Sequence, residues 1–452
     1  MNTPAKVNIS SLIDNSRLGA FQWSVFILCG LCLMMDGFDL QAIGFVAPAL
    51  VRDWKIPSAS MGPVFSAALV GVLIGSLFFS MLADRIGRRP VLIGVTLYFS
   101  ILTFLTARAD TVPHLLIIRF LGGIGLGGIM PNAMALVGEY SPSRVRVTAM
   151  MVVSNGFTAG AAFGGPIAAW LIPHYGWRGV FYFGSVTPLV IAALMIFLLP
   201  ESLQFLALRG HDRAKLARWI RRVDPNAPVS ADTEYVLPET RKKGVPIVQL
   251  FHEGRALGTA MLWVINFMNL LNLYLLSNWL PSLMRDSGYS NTIAVNSGSV
   301  FQIGGVVGTL VLGLFIRRFG FTVVLSMCFG IACISIAAIG QPYLSLVIMF
   351  AFMFVAGFGV PGSQAGLNAF SATYYPTDLR ATGVGAGLGI GRIGAIVGPL
   401  VAGMLLSRHW ANRELFLAAA IPALISAVVM LALRRVIEPS RAVAATNEVL
   451  VH

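Results

Sequence analysis

Twelve apolar stretches recur along the chain, separated by short polar or basic segments. They cover residues 24–47, 60–82, 91–107, 115–137, 149–171, 179–199, 257–280, 297–316, 323–340, 344–368, 383–405 and 415–433. Each falls in the range of about 17–25 residues that a helix needs to cross the hydrocarbon layer. The pattern predicts an all-α integral membrane protein with twelve transmembrane helices. Residues 1–16 are polar, and no short apolar core with a small-residue cleavage site follows them, so the first stretch is expected to remain as a signal-anchor.

Composition supports this. The chain is 56% hydrophobic and only 11% charged, and its mean hydropathy is +0.79. A soluble domain carries about 25% charged residues. Spans two, four, five and eleven are rich in glycine, which lets helices approach closely in lipid.

The charge is strongly positive, +13. Most Lys and Arg fall on the side of both termini, among them Arg85, Arg88, Arg89, Arg144, Arg146, Arg317 and Arg318. By the positive-inside rule both termini are expected in the cytoplasm. A nucleic-acid-binding reading would need a basic soluble domain, and the only loop long enough to consider is short. No nucleic-acid partner is expected. The lipid bilayer is.

The chain repeats itself. Leu50-Val-Arg52-Asp53 returns as Leu283-Met-Arg285-Asp286. Gly75-x8-Asp84-Arg85-Ile-Gly87 returns as Gly308-x8-Arg317-Arg318-Phe-Gly320. Tyr140-Ser-Pro142-x3-Arg146-Val-Thr148 returns as Tyr374-Tyr-Pro376-x3-Arg380-Ala-Thr382. The offset is nearly constant, which predicts two parallel six-helix halves, an arrangement found in transporters. The expected division is 1–199 for the first half, 200–255 for a cytoplasmic linker with an amphipathic helix from Asp212 to Arg222, and 256–452 for the second half and a short tail.

Asp36 and Asp39 carry the strongest candidate chemistry. Asp36 lies about a dozen residues into the first span, near the midplane. Intramembrane carboxylates are costly when charged and are functional by default. Their i, i+3 spacing puts both on one helical face. The alternative is a helix bend or a wet vestibule with no carrier role. Under the repeat they map onto Asn269 and Asn272, so the symmetry breaks where ion coupling would sit.

Other polar residues inside spans are weaker candidates. Arg119 cannot deprotonate, so when buried it must find an anion: Asp36, Asp39 or a substrate carboxylate. Arg392 lies in a glycine-lined span and has the planar fork that holds a carboxylate at two points. It is the favoured substrate anchor; a structural pair is the alternative. Asn266, Asn269 and Asn272 form a polar stripe along span seven. Either substrate hydroxyls or interhelical amide bonds would account for it. Asn132, Gln364 and Phe38 complete the candidate substrate-binding set. Asp84, Arg85, Arg88, Glu139, Arg146 and Arg380 form a candidate gate on the terminal side, against the bland reading of a solvated salt-bridge cluster. Cys29-x-x-Cys32 reads as apolar packing. No metal-ligand cluster, P-loop or nucleophile motif is present, and no cofactor, metal or catalytic residue is expected. The chain is expected to act as a monomer.

Several motifs bear a family resemblance. Gly75-x8-Asp84-Arg-x-Gly87-Arg88-Arg89 and Pro200-Glu201-Ser202-x-x-Phe205-Leu206 resemble those of the major facilitator superfamily. Four narrower segments are similar to the aromatic acid:proton symporters, carriers of compounds such as 4-hydroxybenzoate and protocatechuate. These are Asp36-Gly-Phe-Asp39; Arg119-Phe-Leu-Gly-Gly-x3-Gly-Gly-x-x-Pro131-Asn132; Asn278-Trp-Leu-Pro281-x3-Arg285-Asp286; and Tyr375-Pro376-x3-Arg380 with Gly389-Ile-Gly-Arg392. The resemblance covers about residues 23–405. It implies the major facilitator fold, no enzymatic activity, and proton-coupled uptake of an aromatic carboxylate across a bacterial-type inner membrane. Asp36, Asp39 and Arg119 would serve proton coupling. Two positions depart from the pattern. Arg317 stands where relatives often have Asp, and Arg178 where the hydroxybenzoate carrier has His. An exporter or antiporter remains the alternative, because Gly156-x3-Gly160-x3-Gly164-Gly165-Pro166 partly resembles an antiporter motif. A sensor without transport would need an output domain, and both tails are short.

Overall fold

The computed structural model describes residues 6–16, 18–209, 213–223, 234–236, 247–341, 344–376 and 378–450. Thr377 of the second repeated motif, Asp212 and much of the 200–255 linker lie outside them. Among the described residues the chain is nearly all helical. Eleven helices are long and apolar enough to cross a membrane. One of them, Ser143–Leu198, has 56 residues and is interrupted by Gly176 at φ 70°. A straight helix of that length would run about 84 Å, far more than one crossing. It therefore holds spans five and six, and the twelve expected crossings are present. An even number returns the C-terminus to the side of the N-terminus.

The two halves share local devices at repeat-related positions. Span two ends and span three starts at Gly87 (φ 106°); spans eight and nine meet at Gly320 (φ 81°). These are tight turns in a region of φ that favours glycine. Spans four and ten each carry a local irregularity partway along their length. Val112–Gly127 gives way to Ile129–Tyr140 at Gly128, and Leu346–Gly359 to Pro361–Tyr374 at Val360. Pro361 cannot donate a backbone hydrogen bond, which favours a break there. The helices after short loops are capped by side chains: Thr111 accepts from His114 N, Ser290 from Ile293 N and Ser345 from Ile348 N.

Two compact units are defined by contacts within the chain. The first contains residues 1–40, 70–161 and 178–241; the second contains 41–69, 162–177 and 242–452. The dividing points fall inside spans one, two and five rather than only at the loop between the sequence halves. In the first unit, span one lies against span five at Gly156 and Gly160, whose Cα atoms face the backbone of Gly30 and Met34. Span two meets span four where Gly75 faces Ile124. In the second unit, Gly391, Gly394 and Gly398 of Arg380–Ser407 press on the span-seven helix Ala256–Asp286 at Asn266, Phe267 and Leu271. The glycine-rich sequence stretches are therefore helix contacts.

Short elements lie at the terminal side of the first unit. Strand β1 (Lys6–Asn8) pairs in parallel with strand β2 (Glu234–Val236). The helix Ile9–Asn15 buries Ile9 and Ile13, spaced i, i+4. The linker helix Arg213–Val223 buries Leu216, Ile220 and Val223 on one face. Its Trp219 stacks on Phe21 with ring centres 5.8 Å apart, and the Arg222 guanidinium lies 5.0 Å from the Trp219 ring centre. Its apolar face is thus used against the start of span one.

A side chain at Gly160 would collide with the carbonyl of Met34, which is backbone and cannot rotate away. Gly160→Val is expected to cost roughly 3 kcal/mol or more. Thermal unfolding of the detergent-purified protein should show a large drop in Tm or no folded protein, whereas Gly94→Ala, at a site with open space, should leave Tm nearly unchanged.

Candidate functional site

The first unit holds a buried ionic cluster. Asp39 sits on the span-one helix Ala20–Trp54, Thr103 on Arg88–Thr106 and Arg119 on Val112–Gly127. Arg119 Nη1 donates to Asp39 Oδ2 at 2.8 Å, and Nη2 donates to the Asp39 carbonyl at 3.1 Å. The other carboxylate oxygen, Oδ1, accepts from the Thr103 hydroxyl at 2.7 Å. The two charged side chains are 3% and 2% exposed. Both Asp39 oxygens are thereby engaged, while Arg119 Nε has no hydrogen-bond partner among the described residues. Asp36, one turn earlier, is also buried. Sequence reasoning brought the aspartates and Arg119 together but left the choice of partner open; the structure gives Arg119 to Asp39. Thr103 was missed, because a threonine in an apolar span carries no signal of its own.

The second unit holds an amide cluster. Asn269 Nδ2 donates to Gln364 Oε1 at 2.8 Å. Gln364 Nε2 in turn reaches Asn368 Oδ1 at 3.0 Å and Asn266 Oδ1 at 3.4 Å. Asn272 is 1% exposed, and neither atom of its amide has a hydrogen-bond partner among the described residues; nor does Asn269 Oδ1. Leaving such groups unmatched costs about 1–3 kcal/mol each. The span-seven stripe is thus only partly explained by amide bonds between helices. Arg392 is half-buried on span eleven. Its neighbour Gly391 lies against the Asn266 carbonyl, with an added Cβ 3.2 Å from that oxygen.

Other candidates are placed differently. Asn132 donates to Gly128 O within its own helix. Phe38 meets Phe183 edge-on at 5.4 Å and abuts Gly184. On the terminal side of the first unit, Arg88 Nε lies 3.2 Å from Glu139 Oε1, and the Ser202 hydroxyl donates to Glu139 Oε2 at 2.6 Å. Arg146 pairs with Asp14 at 3.3 Å, and the same Asp14 oxygen accepts from Ser143 N. A cavity of about 380 Å³ lies here, lined by Arg88, Glu139 and Arg146 and by Ile9 and Ile13. Asp84, Arg85 and Arg380 are exposed. Glu201 was missed as a site residue. Its Oε1 accepts from the backbone N–H groups of Arg88, Arg89 and Ser202. A carboxylate there meets the positive end of the span-three helix.

Among the described residues no group of His, Cys, Asp and Glu has the grouping of a metal site. The profile of the Major Facilitator Superfamily matches residues 29–252 and 262–449. The chain belongs to the major facilitator superfamily. It is a multi-pass membrane transporter and not an enzyme. It is 39% identical over 429 residues to the gallate transporter of Pseudomonas putida, covering 95% of each chain. It is also 39% identical to the 4-hydroxybenzoate transporter PcaK of Acinetobacter baylyi, over 94% of this chain and 93% of that one. Among solved structures, the bacterial homologue of the human lysosomal transporter Spinster, described as inward-facing and occupied, superposes with a TM-score of 0.72 at 18% identity, over 93% and 98% of the two chains. That likeness carries the fold of this superfamily member.

Asp39→Ala would strand the Arg119 charge in an apolar interior, a loss of about 3–5 kcal/mol. Thermal unfolding should show it as a marked fall in Tm. The double variant Asp39→Asn/Arg119→Gln, which removes both charges, should be more stable than Asp39→Ala.

Proposed function

We propose that the protein takes up an aromatic carboxylate, such as a hydroxybenzoate, together with protons across a bacterial-type inner membrane by alternating access. Both termini are cytoplasmic in this reading, and the carrier works as a monomer of two six-helix halves, 1–199 and 256–452, joined by the linker 200–255. The buried Asp39–Arg119–Thr103 cluster carries it. A carboxylate at membrane depth with a guanidinium partner has two states that differ strongly in field. Protonation of Asp39 cancels its attraction for Arg119 and leaves a cation in need of an anion. Asp36, one turn away, is the second proton site. The gradient can supply the work, since one charge crossing 100 mV gains about 2.3 kcal/mol.

Substrate recognition falls to Arg392 and the amides. Arg119 spends both terminal nitrogens on Asp39, which favours Arg392 as the anchor for the carboxylate. Asn269 and Asn272 retain unmatched amide atoms that suit ring hydroxyls, with Asn266 and Gln364 positioning them. Asn132 and Phe38 are secondary members of this set. Asp84, Arg85, Arg88, Glu139, Arg146 and Arg380 serve the gate on the cytoplasmic side. The relatives named for gallate and 4-hydroxybenzoate support the substrate class. The export reading is weaker, because three of the four span-five glycines that suggested it are accounted for as packing: Gly156 and Gly160 face span one, and Gly165 faces Ser299.

Coupling is tested in proteoliposomes with labelled 4-hydroxybenzoate. Asp36→Asn or Asp39→Asn should abolish accumulation driven by an imposed pH gradient while leaving substrate exchange measurable. Gradient-driven uptake at the wild-type level in both single variants would remove the carboxylates from the mechanism.

Arg392→Lys should weaken 4-hydroxybenzoate binding about tenfold, because an ammonium lacks the planar two-point fork. Calorimetric titration checks this, and 4-hydroxybenzamide should bind poorly to the wild type. Equal affinity for acid and amide would exclude any cationic anchor.

A further inference from the structure

We propose that Gln41 is a latch residue that closes the end of the second unit opposite the termini, by docking into a backbone carbonyl that Pro281 leaves open. In the span-seven helix, Ser277 O would ordinarily accept from the N–H four residues on. That residue is Pro281, inside the helix Ala256–Asp286, and it has no N–H. Gln41 Nε2 donates to this carbonyl. On the same residue, the Ser277 hydroxyl accepts from Gln302 Nε2 at 3.0 Å. Gln41, Ser277 and Gln302 are 5%, 1% and 4% exposed.

The surrounding contacts show what the latch holds. One turn after Gln41, Gly44 lies against Asn278, where an added Cβ would stand 3.2 Å from its Cα. Phe65 of span two meets Trp279 edge-on at 5.2 Å. Ser66 donates to Ile396 O at 2.8 Å, and Trp279 Nε1 donates to Pro399 O at 3.0 Å. Gly165 of span five abuts Ser299 of span eight. Apart from the Trp279–Pro399 bond, which braces span seven on span eleven, these contacts lie within the second unit, between its segments 41–69 and 162–177 and its span-seven-to-eleven helices. Opening this end to solvent has to part them.

Gln41 differs from the other contacts in what its loss leaves behind. Without it, the closed state buries a carbonyl with no donor, and the open state lets water reach it. The closed state is therefore penalised by one unmatched buried group. An ordinary helical carbonyl, such as Ile396 O, keeps its own helix donor when Ser66 is lost. The Asn278-Trp-Leu-Pro281 segment thus acquires a physical role: the proline makes the socket and span one supplies the plug. The helix that carries the plug also carries Asp39, two residues earlier.

The inference rests on the carrier reading, but its test needs neither substrate nor gradient, so the two can fail separately. Ser299→Cys in a full-length background lacking the four native cysteines supplies a thiol inside the closed contact. Its labelling rate with N-ethylmaleimide is read in detergent. Gln41→Leu should raise that rate about tenfold, the worth of one buried hydrogen bond. In a Pro281→Ala background the same substitution should change it less than about twofold, since the helix then supplies its own N–H to Ser277 O. Ser66→Ala should have the same effect in both backgrounds. If Gln41→Leu does not fold, Gln41→Met carries the same expectation. An unchanged rate on losing the amide, or an equal change with and without Pro281, overturns the latch.

Discussion

A guanidinium that cannot lose its proton is held in the buried interior of the first unit by the Asp39 carboxylate, and the three helices that meet there are positioned by that constraint. Arg119 and Asp39 are each almost fully out of contact with solvent. Neither is tolerable alone at that depth, because the desolvation of an isolated charge costs several kcal/mol. Thr103 completes the carboxylate's shell. The rotation of spans one, three and four about their axes is fixed to within the reach of these side chains. The proposed coupling rests on the same dependence: anything that changes the charge on Asp39 changes what Arg119 requires.

Backbone proximity governs the rest of the packing. Without a hydrophobic driving force between helices in lipid, contact comes from close approach and hydrogen bonding. Glycines supply the first where span one meets span five and where span eleven meets span seven. Prolines supply openings for the second. The Ser277 carbonyl is exposed to outside donors because its helix cannot satisfy it, and Gln41 fills the vacancy. Packing glycine and opening proline are opposite uses of the two residues least suited to helices in water.

The two halves are alike in backbone and unlike in charge. The turns at Gly87 and Gly320 and the breaks at Gly128 and Val360 correspond. The carboxylates of span one correspond to amides of span seven. Glu201 receives the start of span three. Symmetry thus serves the scaffold, and its violations coincide with the residues proposed for coupling and recognition.

The sequence by itself determined the solvent of this protein, its twelve crossings and its internal repeat, because hydropathy, glycine content and motif spacing are local properties that survive any packing. It also singled out Asp36, Asp39 and Arg119, since ionisable groups are costly within spans wherever they point. What it left open is pairing. Arg119 and Asp39 are 80 positions apart, and which carboxylate meets the guanidinium depends on helix rotation, which periodicity does not encode in spans apolar all round. For the same reason Thr103, Gln302 and the Ser277 carbonyl were invisible: each is an ordinary residue until a distant helix brings a partner to it. The turn between spans five and six falls at Gly176, whose φ of 70° suits a residue without a side chain; a glycine can turn or continue a helix, and only its surroundings choose.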